Sequence, residues 1–239
     1  GHTLFAIHAE LQRVVIGMRD PNPLVKGRGV RRLRRAGIEV KTGVLRQACE
    51  QLNEDFCVFI RTGRPLVTLK LAASFDGRIA TASGDSHWIS GPISRRWVHT
   101  LRNQVDAILV GSGTVGSDDP QLTCRIRGGR DPLRVILDSR LSTNPHARTY
   151  TQKSTASTLI ATTQAGAKRR HLFEHYDPAQ VEIVTFPAQN GRVPIQLVLA
   201  ELGKRGIKHV LIEGGGQVAA AALGEDLVDK VLFFYAPIL

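Results

Sequence analysis

Two charged residues interrupt or end apolar segments of the sequence. Lys70 interrupts a strand-like segment that begins at Leu66, and Glu213 ends the apolar run of residues 210–212. Ligands of open α/β sheets bind at the carboxyl ends of the strands, where such side chains could bind a substrate or transfer a proton. The alternative is that each is an edge residue or half of an internal ion pair.

A glycine cluster follows Glu213 directly. Gly214, Gly215 and Gly216 precede residues 217–223, which have strong helix propensity. Backbone amides without side chains at the start of a helix form an anion site, so the cluster favours a phosphate-binding turn. A plain strand-to-helix turn, with glycines for close packing, is the alternative.

A second cluster, Gly111, Gly113 and Gly116, matches G-x-G-x-x-G after a strand-like run, and Asp138 follows where a dinucleotide fingerprint places its acid. The residues after Gly116 show no helical apolar periodicity, which the fingerprint requires. The pattern therefore predicts a ligand-facing loop and not a Rossmann unit.

Residues 66–91 combine a strand with a long polar loop. The strand is predicted to end in small residues, Ala72, Ala73 and Ser74, which would let a flat ligand approach the backbone. The loop leads to Trp88, and a long polar loop after a buried strand is often functional. An ordinary connection with Trp88 in the core is the alternative.

The chain is strongly basic, with a formal net charge of +11. One interpretation is a nucleic-acid surface centred on residues 28–35, and the other is attraction of small anions such as phosphorylated sugars and dinucleotides. The basic run lacks interleaved aromatic residues for base stacking, so no nucleic-acid partner is expected. Arg102 and Arg125 are candidates for clamping a substrate phosphate, although each alone could be a surface charge.

Cysteine usage argues against a disulfide framework and against a cysteine zinc site. The three cysteines are odd in number and show no C-x-x-C spacing. His8-Ala9-Glu10 has the H-x-E form of a zinc deaminase, but no paired-cysteine element accompanies it. We therefore expect no metal ligands. Without a bilayer-length apolar run or a signal peptide, a cytoplasmic protein with no membrane partner is expected.

The order of helices and strands predicts an α/β protein. Residues 14–16, 29–36, 38–40 and 44–60 give strand, helix, strand and helix, with Gly37 as a helix-ending glycine and a boundary at residues 61–65. After the strand from Leu66, a helix to about Arg102 is predicted with Ile93, Trp97 and Leu101 facing inward. Further strands (106–110, 133–137, 158–162, 181–185, 209–212, 231–235) alternate with helices near 167–175 and 194–205, which predicts a mostly parallel sheet.

Several ordered motifs resemble one family. LKLAASFDGRIATASGDSHWISG, LRNQVDAILVGSGTVGSDDPQLTCR, RVILDSR and LIEGGGQVAAAAL closely resemble the C-terminal reductase domain of the bifunctional deaminase/reductases of riboflavin biosynthesis. The resemblance covers about residues 65–239. It implies a dihydrofolate-reductase-like fold and NADPH-dependent reduction of the ribosyl group of 5-amino-6-(5-phosphoribosylamino)uracil to the ribitylamino product. Residues 13–62 resemble the last part of that family's cytidine-deaminase-like domain.

The resemblance implies three sets of site residues. Proton-transfer or polar roles fall to Lys70, Asp118 and Glu213, because reduction of an opened sugar imine needs a proton donor. The residues implied to contact the cofactor are Ala72, Trp88, Thr114, Asp118, Ser139, Gly215, Gly216, Gln217, Val218, Ala219, Ala220 and Ala221. Those implied to contact the phosphorylated pyrimidine substrate are Ser86, Arg102, Leu122, Arg125 and Glu213. The family commonly assembles, which implies a homo-oligomer.

The sequence departs from the family pattern in two places. His8-Ala9-Glu10 stands almost against Arg13, with no cysteine pair between them, so residues 1–62 are expected to be a partial deaminase-like domain without deaminase activity. Zinc would be a cofactor only if an intact deaminase domain exists, and an incompletely represented bifunctional deaminase/reductase is the alternative. Residues 63–239 are expected to be a reductase domain that lacks its last strands.

Overall fold

The structure of the chain is a computed structural model that describes residues 6–9, 11–25, 27–77 and 91–236. The chain divides into two compact units, Gly1–Gly63 and Arg64–Leu239. Among the described residues, no helix has both the length and the apolar character needed to cross a membrane.

The first unit is a small α/β arrangement. Its strands, β1 (Arg13–Ile16) and β2 (Glu39–Thr42), pair in parallel, and it contains the helices α1 (Arg28–Arg35), α2 (Arg46–Leu52) and α3 (Glu54–Thr62). Helix α1 buries Leu33 and half-buries Val30, while its arginines face solvent. Gly37 follows α1 with φ +78°, which confirms the helix-ending glycine.

The single helix predicted over residues 44–60 is wrong. The chain forms α2 and α3 instead, with Asn53 between them at φ −115° and ψ 29°. The Asn53 side chain donates a hydrogen bond to the Cys49 carbonyl at 2.8 Å, and such side-chain bonds compete with the helical backbone ladder.

The second unit is built on a seven-stranded sheet of order β7-β6-β5-β4-β8-β3-β9, and every pairing in it is parallel. This confirms the α/β prediction, and the predicted strands all form with small changes at their ends. Their bounds are β3 (Leu66–Ser74), β4 (Ala107–Gly111), β5 (Leu133–Leu137), β6 (Thr158–Thr163), β7 (Val181–Phe186), β8 (His209–Glu213) and β9 (Lys230–Ala236).

Apolar layers cover both faces of the central strands. In β4, Ala107 and Leu109 belong to the larger core cluster, while Ile108 and Val110 belong to a separate cluster on the opposite face. Successive side chains of a strand point to opposite faces, so a strand buried on both sides has a continuous apolar sequence. This explains why the short run 106–110 forms a strand at the centre of the sheet.

The helices of the second unit connect successive strands. They are α4 (Pro92–Gln104), α5 (Ser112–Asp118), α6 (Arg148–Thr151), α7 (Gln164–Ala167), α8 (Ile195–Lys204) and α9 (Gly216–Gly224), with a 3₁₀ turn at Arg170–Phe173. The helix predicted near 167–175 is thus replaced by α7 and the 3₁₀ turn. The Thr163 hydroxyl accepts a hydrogen bond from the Gly166 N–H and caps α7 earlier in the chain than predicted.

The inward stripe predicted for α4 is partly wrong. Leu101 is buried, but Ile93 is 86% exposed and Trp97 is 45% exposed; Val98 and Val105 are the other buried residues. Positions four residues apart rotate by about 40° around a helix, so a stripe of strict four-residue steps drifts off the buried face. The rings of Trp97 and Phe234, which belongs to β9, make an edge-to-face contact with their centroids 5.5 Å apart.

Candidate active site

A cavity of about 1060 Å³ lies at the carboxyl edge of the parallel sheet, where β3, β8, β4 and β5 end. Most of the predicted site residues line it. They are Lys70, Ala72, Arg102, Thr114, Asp118, Leu122, Ser139, Glu213, Gly215, Gly216, Gln217, Val218 and Ala221. The cavity therefore brings together residues that are far apart in the sequence.

Three predicted site residues that the structure describes are not among those that line the cavity. Ala219 is buried in the main core cluster, Ala220 is exposed on α9, and Arg125 is exposed and donates a hydrogen bond to the Gln121 side chain at 2.9 Å. Ser86 and Trp88 lie outside the described residues.

Lys70 and Glu213 occupy adjacent strands in register, so their side chains leave the sheet on the same side. Burial lowers the pKa of Lys70, the charge of Glu213 opposes this shift, and Arg102 adds to it. The Lys70 ammonium lies 5.5 Å from the centroid of the Phe234 ring, which offers it a cation–π contact. Lys70 is therefore a half-buried amine that gives up its proton more readily than an exposed lysine.

Arg102 binds both carboxylate oxygens of Glu213. Its Nε donates to Oε1 at 3.0 Å and its Nη2 donates to Oε2 at 2.7 Å, while Nη1 donates to the Thr123 carbonyl at 3.1 Å. Burial by itself would raise the pKa of Glu213, but the charge and hydrogen bonds of Arg102, with Lys70 and His99, outweigh burial and lower it. Glu213 is thus a carboxylate in the cavity wall, and Arg102 fixes its position.

The glycine turn after β8 leaves its backbone open toward the cavity. Gly214 has φ +154°, and a Cβ built there would lie 3.0 Å from the Thr114 hydroxyl oxygen. The Gly215 N–H donates a hydrogen bond to the same hydroxyl at 3.1 Å. Thr114 of α5 therefore holds the turn at the start of α9, and a side chain at Gly214 would obstruct this contact.

The second glycine cluster forms helix α5 and not the loop that was predicted. The helix begins at Ser112, directly after β4, and buries Val115. Its last residue, Asp118, is exposed to the cavity and accepts a hydrogen bond from the Ser117 hydroxyl at 2.7 Å. A helix of seven residues has too few apolar positions to show a helical periodicity.

Asp138 has a structural role. Its side chain is fully buried, and its carboxylate accepts hydrogen bonds from the Ser142 hydroxyl at 3.1 Å and the Thr143 N–H at 2.8 Å. It orders the turn after β5, so it does not present a free carboxylate to a ligand.

Sequence reasoning missed Arg140, Asn190 and Arg192, which also line the cavity. Asn190 and Gly191, with φ of +51° and +73°, form a tight turn between Gln189 and Arg192. The Asn-Gly dipeptide is a strong hairpin signal and could have identified this turn. The described residues hold no group of three or more His, Cys, Asp or Glu side chains that could bind a metal ion.

A family model described as the RibD C-terminal domain matches residues 65–239. Riboflavin biosynthesis protein RibD of Bacillus amyloliquefaciens is 40% identical over 230 residues, which cover 96% of this chain and 61% of that protein. The RibD protein of Escherichia coli K12 is 39% identical over 244 residues, covering 97% of this chain and 64% of that protein. The chain thus spans about three fifths of the length of these relatives.

Two solved structures are also similar to nearly the whole of this chain. The diaminohydroxyphosphoribosylaminopyrimidine deaminase/5-amino-6-(5-phosphoribosylamino)uracil reductase of Thermotoga maritima aligns with a TM-score of 0.84 at 38% identity, over 99% of this chain and 63% of that one. RibD of Acinetobacter baumannii aligns with a TM-score of 0.83 at 34% identity, over 99% of this chain and 64% of that one.

Proposed function

Because this chain belongs to the RibD C-terminal domain family, we propose that it catalyses a step of riboflavin biosynthesis, the NADPH-dependent reduction of 5-amino-6-(5-phosphoribosylamino)uracil to its ribitylamino product. The Thermotoga maritima relative is described as a reductase of this substrate. We propose further that the second unit has a dihydrofolate-reductase-like fold. That the enzyme is a cytoplasmic homo-oligomer, and that residues 1–62 are part of a deaminase-like domain, remain predictions.

The observation that carries the proposal is the shared cavity. It joins a half-buried amine, Lys70, a fixed carboxylate, Glu213, and an exposed carboxylate, Asp118, to a glycine turn at a helix start. Ligand pockets typically measure about 300–1,000 Å³, so a cavity of about 1060 Å³ lies at the upper end of that range.

The residues of the glycine turn fit the diphosphate of a nicotinamide cofactor. Gly215 and Gly216 bring main-chain groups to the cavity without Cβ atoms, and α9 begins at Gly216 with its partial positive charge on the same side. Thr114 and Gln217 stand beside the turn. We assign these residues, with Ala72, Ser139, Val218 and Ala221, to cofactor binding.

Lys70 is the proposed proton donor. A nicotinamide cofactor bound in the cavity would supply the hydride for reduction of the C=N bond of the ring-opened sugar imine. Reduction of that C=N bond also requires one proton on the nitrogen, and the Lys70 ammonium has a pKa lowered by burial, which strengthens it as an acid. Glu213 remains ionised beside Lys70 and provides an acceptor for a sugar hydroxyl or for the ammonium.

Asp118 and Arg125 complete the proposal. Asp118 is an exposed carboxylate on the cavity wall that can accept hydrogen bonds from a cofactor or substrate hydroxyl. Leu122 is buried, lines the cavity and precedes Thr123, whose carbonyl accepts a hydrogen bond from Arg102. Arg125 is exposed three residues after Leu122, and we propose that it contacts the substrate phosphate.

A spectrophotometric assay tests the proposal. Purified protein should consume NADPH when the phosphoribosylaminouracil is added, and Lys70→Met should reduce the rate by about 100-fold or more, the usual range for loss of a general acid. The matched control is Lys204→Ala, which replaces an exposed lysine at the end of α8 and should retain the wild-type rate. Protein that binds NADPH and leaves this substrate unchanged would contradict the proposal.

A further inference from the structure

Two arginines lie on the cavity wall beyond the end of β5, away from Lys70. They are Arg140, in the turn after β5, and Arg192, in the segment between β7 and α8. We propose that this arginine pair binds the 2′-phosphate of NADPH and makes the enzyme select NADPH over NADH. The inference rests on the proposed function and adds a specificity-determining pair to its cofactor site.

The two arginines belong to segments that are joined by a hydrogen bond. The Val193 N–H, next to Arg192, donates to the Ser139 hydroxyl, next to Arg140, at 3.0 Å. The Ser139 carbonyl accepts a second bond from the Thr163 hydroxyl at 2.7 Å. Both guanidinium groups therefore extend from neighbouring backbone that the end of β6 also holds.

Packing fixes the turn that carries Arg140. A Cβ at Gly166 would lie 2.5 Å from the Ser139 carbonyl oxygen and 3.1 Å from the Arg140 carbonyl carbon, so α7 packs directly against this backbone. The Asp138 carboxylate accepts the Thr143 N–H from the other side of the turn. A turn held in this way pays little ordering entropy when a ligand binds, which favours a preformed phosphate site.

The order of strands places the arginine pair where a 2′-phosphate would lie. Along the carboxyl edge, β3 carries Lys70, β8 carries the glycine turn, β4 leads into α5, and β5 leads to Arg140. Adjacent strands are about 4.8 Å apart, so β5 lies about 10 Å from β8. A dinucleotide held by its diphosphate at the glycine turn, with its reacting end at Lys70, would have its adenosine ribose toward β5.

Charge supports the same assignment. Arg102, the other arginine on the wall, is paired with Glu213, whereas no side-chain hydrogen bond or ion pair joins Arg140 or Arg192 to another described residue. The nearby Asp138 carboxylate is buried and bound within its own turn. Two guanidinium groups without such partners among the described residues can bind a phosphomonoester dianion, which accepts charge-assisted and often bidentate hydrogen bonds.

Binding of adenosine 2′,5′-bisphosphate and of 5′-AMP, measured by calorimetry on the full chain, tests the pair. The bisphosphate should bind at least about tenfold more tightly than 5′-AMP, the range expected for hydrogen bonds to a charged group. Arg140→Ala and Arg192→Ala should each remove most of this preference while leaving 5′-AMP affinity unchanged. Lys204→Ala, which removes a positive charge at the end of α8, should keep the full preference.

Each outcome separates the inference from the proposed function. Arginine variants that fold as shown by circular dichroism and keep the preference would overturn the inference, as would equal use of NADH and NADPH by an active enzyme. Competition of ribose 5-phosphate with the bisphosphate would overturn it too, because the pair would then hold the sugar phosphate of the substrate. A preference lost with the arginines in a protein that reduces nothing would support the pair and contradict the reductase proposal.

Discussion

Glu213 keeps a negative charge inside the protein because Arg102 binds both of its oxygens. The two side chains are 11% and 13% exposed, so neither charge is well hydrated without the other. Breaking a buried pair by removing one partner leaves the other charge uncompensated, which is more costly than losing an ion pair at the surface.

Glu213→Gln should therefore destabilise the protein strongly. We expect the free energy of unfolding, measured by urea denaturation, to fall by about 3 kcal/mol. The control is Glu182→Gln, which breaks the more exposed pair with Arg205 and should cost less than about 1 kcal/mol. Equal losses in the two variants would show that Arg102 is not left as an uncompensated buried charge.

The stability that Glu213 contributes should also depend on pH. Its pKa in the folded protein is lowered from 4.5, so this contribution is present above the unfolded pKa and is lost as the pH falls through the folded value. When urea titrations are repeated at pH values below the folded pKa of Glu213, the free energy of unfolding should decrease more in the wild type than in Glu213→Gln. Parallel losses would contradict the lowered pKa.

The pKa of Lys70 should determine the alkaline limb of the pH dependence of kcat. Because burial lowers the pKa of Lys70, the ammonium is lost at lower pH than in an ordinary lysine, and kcat should fall as the pH rises through this value. Lys70→Arg keeps its proton at all accessible pH, so its kcat profile should lack this limb even if its plateau is lower. An alkaline limb shared by both proteins would assign it to another group.

The sequence indicated many of these residues but not their pairing. Lys70 and Glu213 were noticeable because Lys70 interrupts an apolar run and Glu213 ends one, whereas Arg102 was expected to bind a phosphate. The pairing of Arg102 with Glu213 spans 111 positions of the chain and depends on how α4 lies against β8, which local patterns do not encode. Arg140 and Arg192 were missed for the same reason.

At the scale of elements, the turn from β8 into α9 depends on glycine at one position. Gly214 has φ +154° and lies against the Thr114 hydroxyl, whereas a Cβ at Gly224, at the end of α9, would meet no atom within 4 Å. The same substitution should therefore have opposite consequences at the two ends of the helix.

Gly214→Ala should raise the Kd for NADPH by about tenfold or more, because the added methyl displaces Thr114 and the turn. Gly224→Ala should leave the Kd unchanged and stabilise the protein slightly, since alanine favours a helix over glycine by up to about 1 kcal/mol. Fluorescence titration with NADPH distinguishes the two variants. An unchanged Kd in Gly214→Ala would mean that the cofactor does not use this turn.

Elements with long apolar runs could be predicted well, and short or interrupted ones could not. Strands β4 to β8 follow the predicted runs closely because burial on both faces gives a clear signal. The break at Asn53 and the short helix α5 depend on a side-chain hydrogen bond and on a strand end, which carry little periodicity. The exposed face of α4, with Ile93 and Trp97, depends on which residues the sheet covers.

At the scale of the whole molecule, the seven-stranded sheet and all residues that line the cavity belong to the unit Arg64–Leu239. The family model covers nearly the same residues, 65–239. Fold class could be predicted from the alternation of helices and strands, but the strand order that gathers β3, β8, β4 and β5 at one edge required the structure.

The most direct test of the central claim is the mass of the product formed with NADPH deuterated at the transferred position. If the cavity performs the proposed reduction, the ribitylamino product should carry one deuterium at C1′ for each NADPH consumed. NADPH oxidation without a deuterated ribitylamino product would contradict the assignment of this cavity to ribosyl reduction.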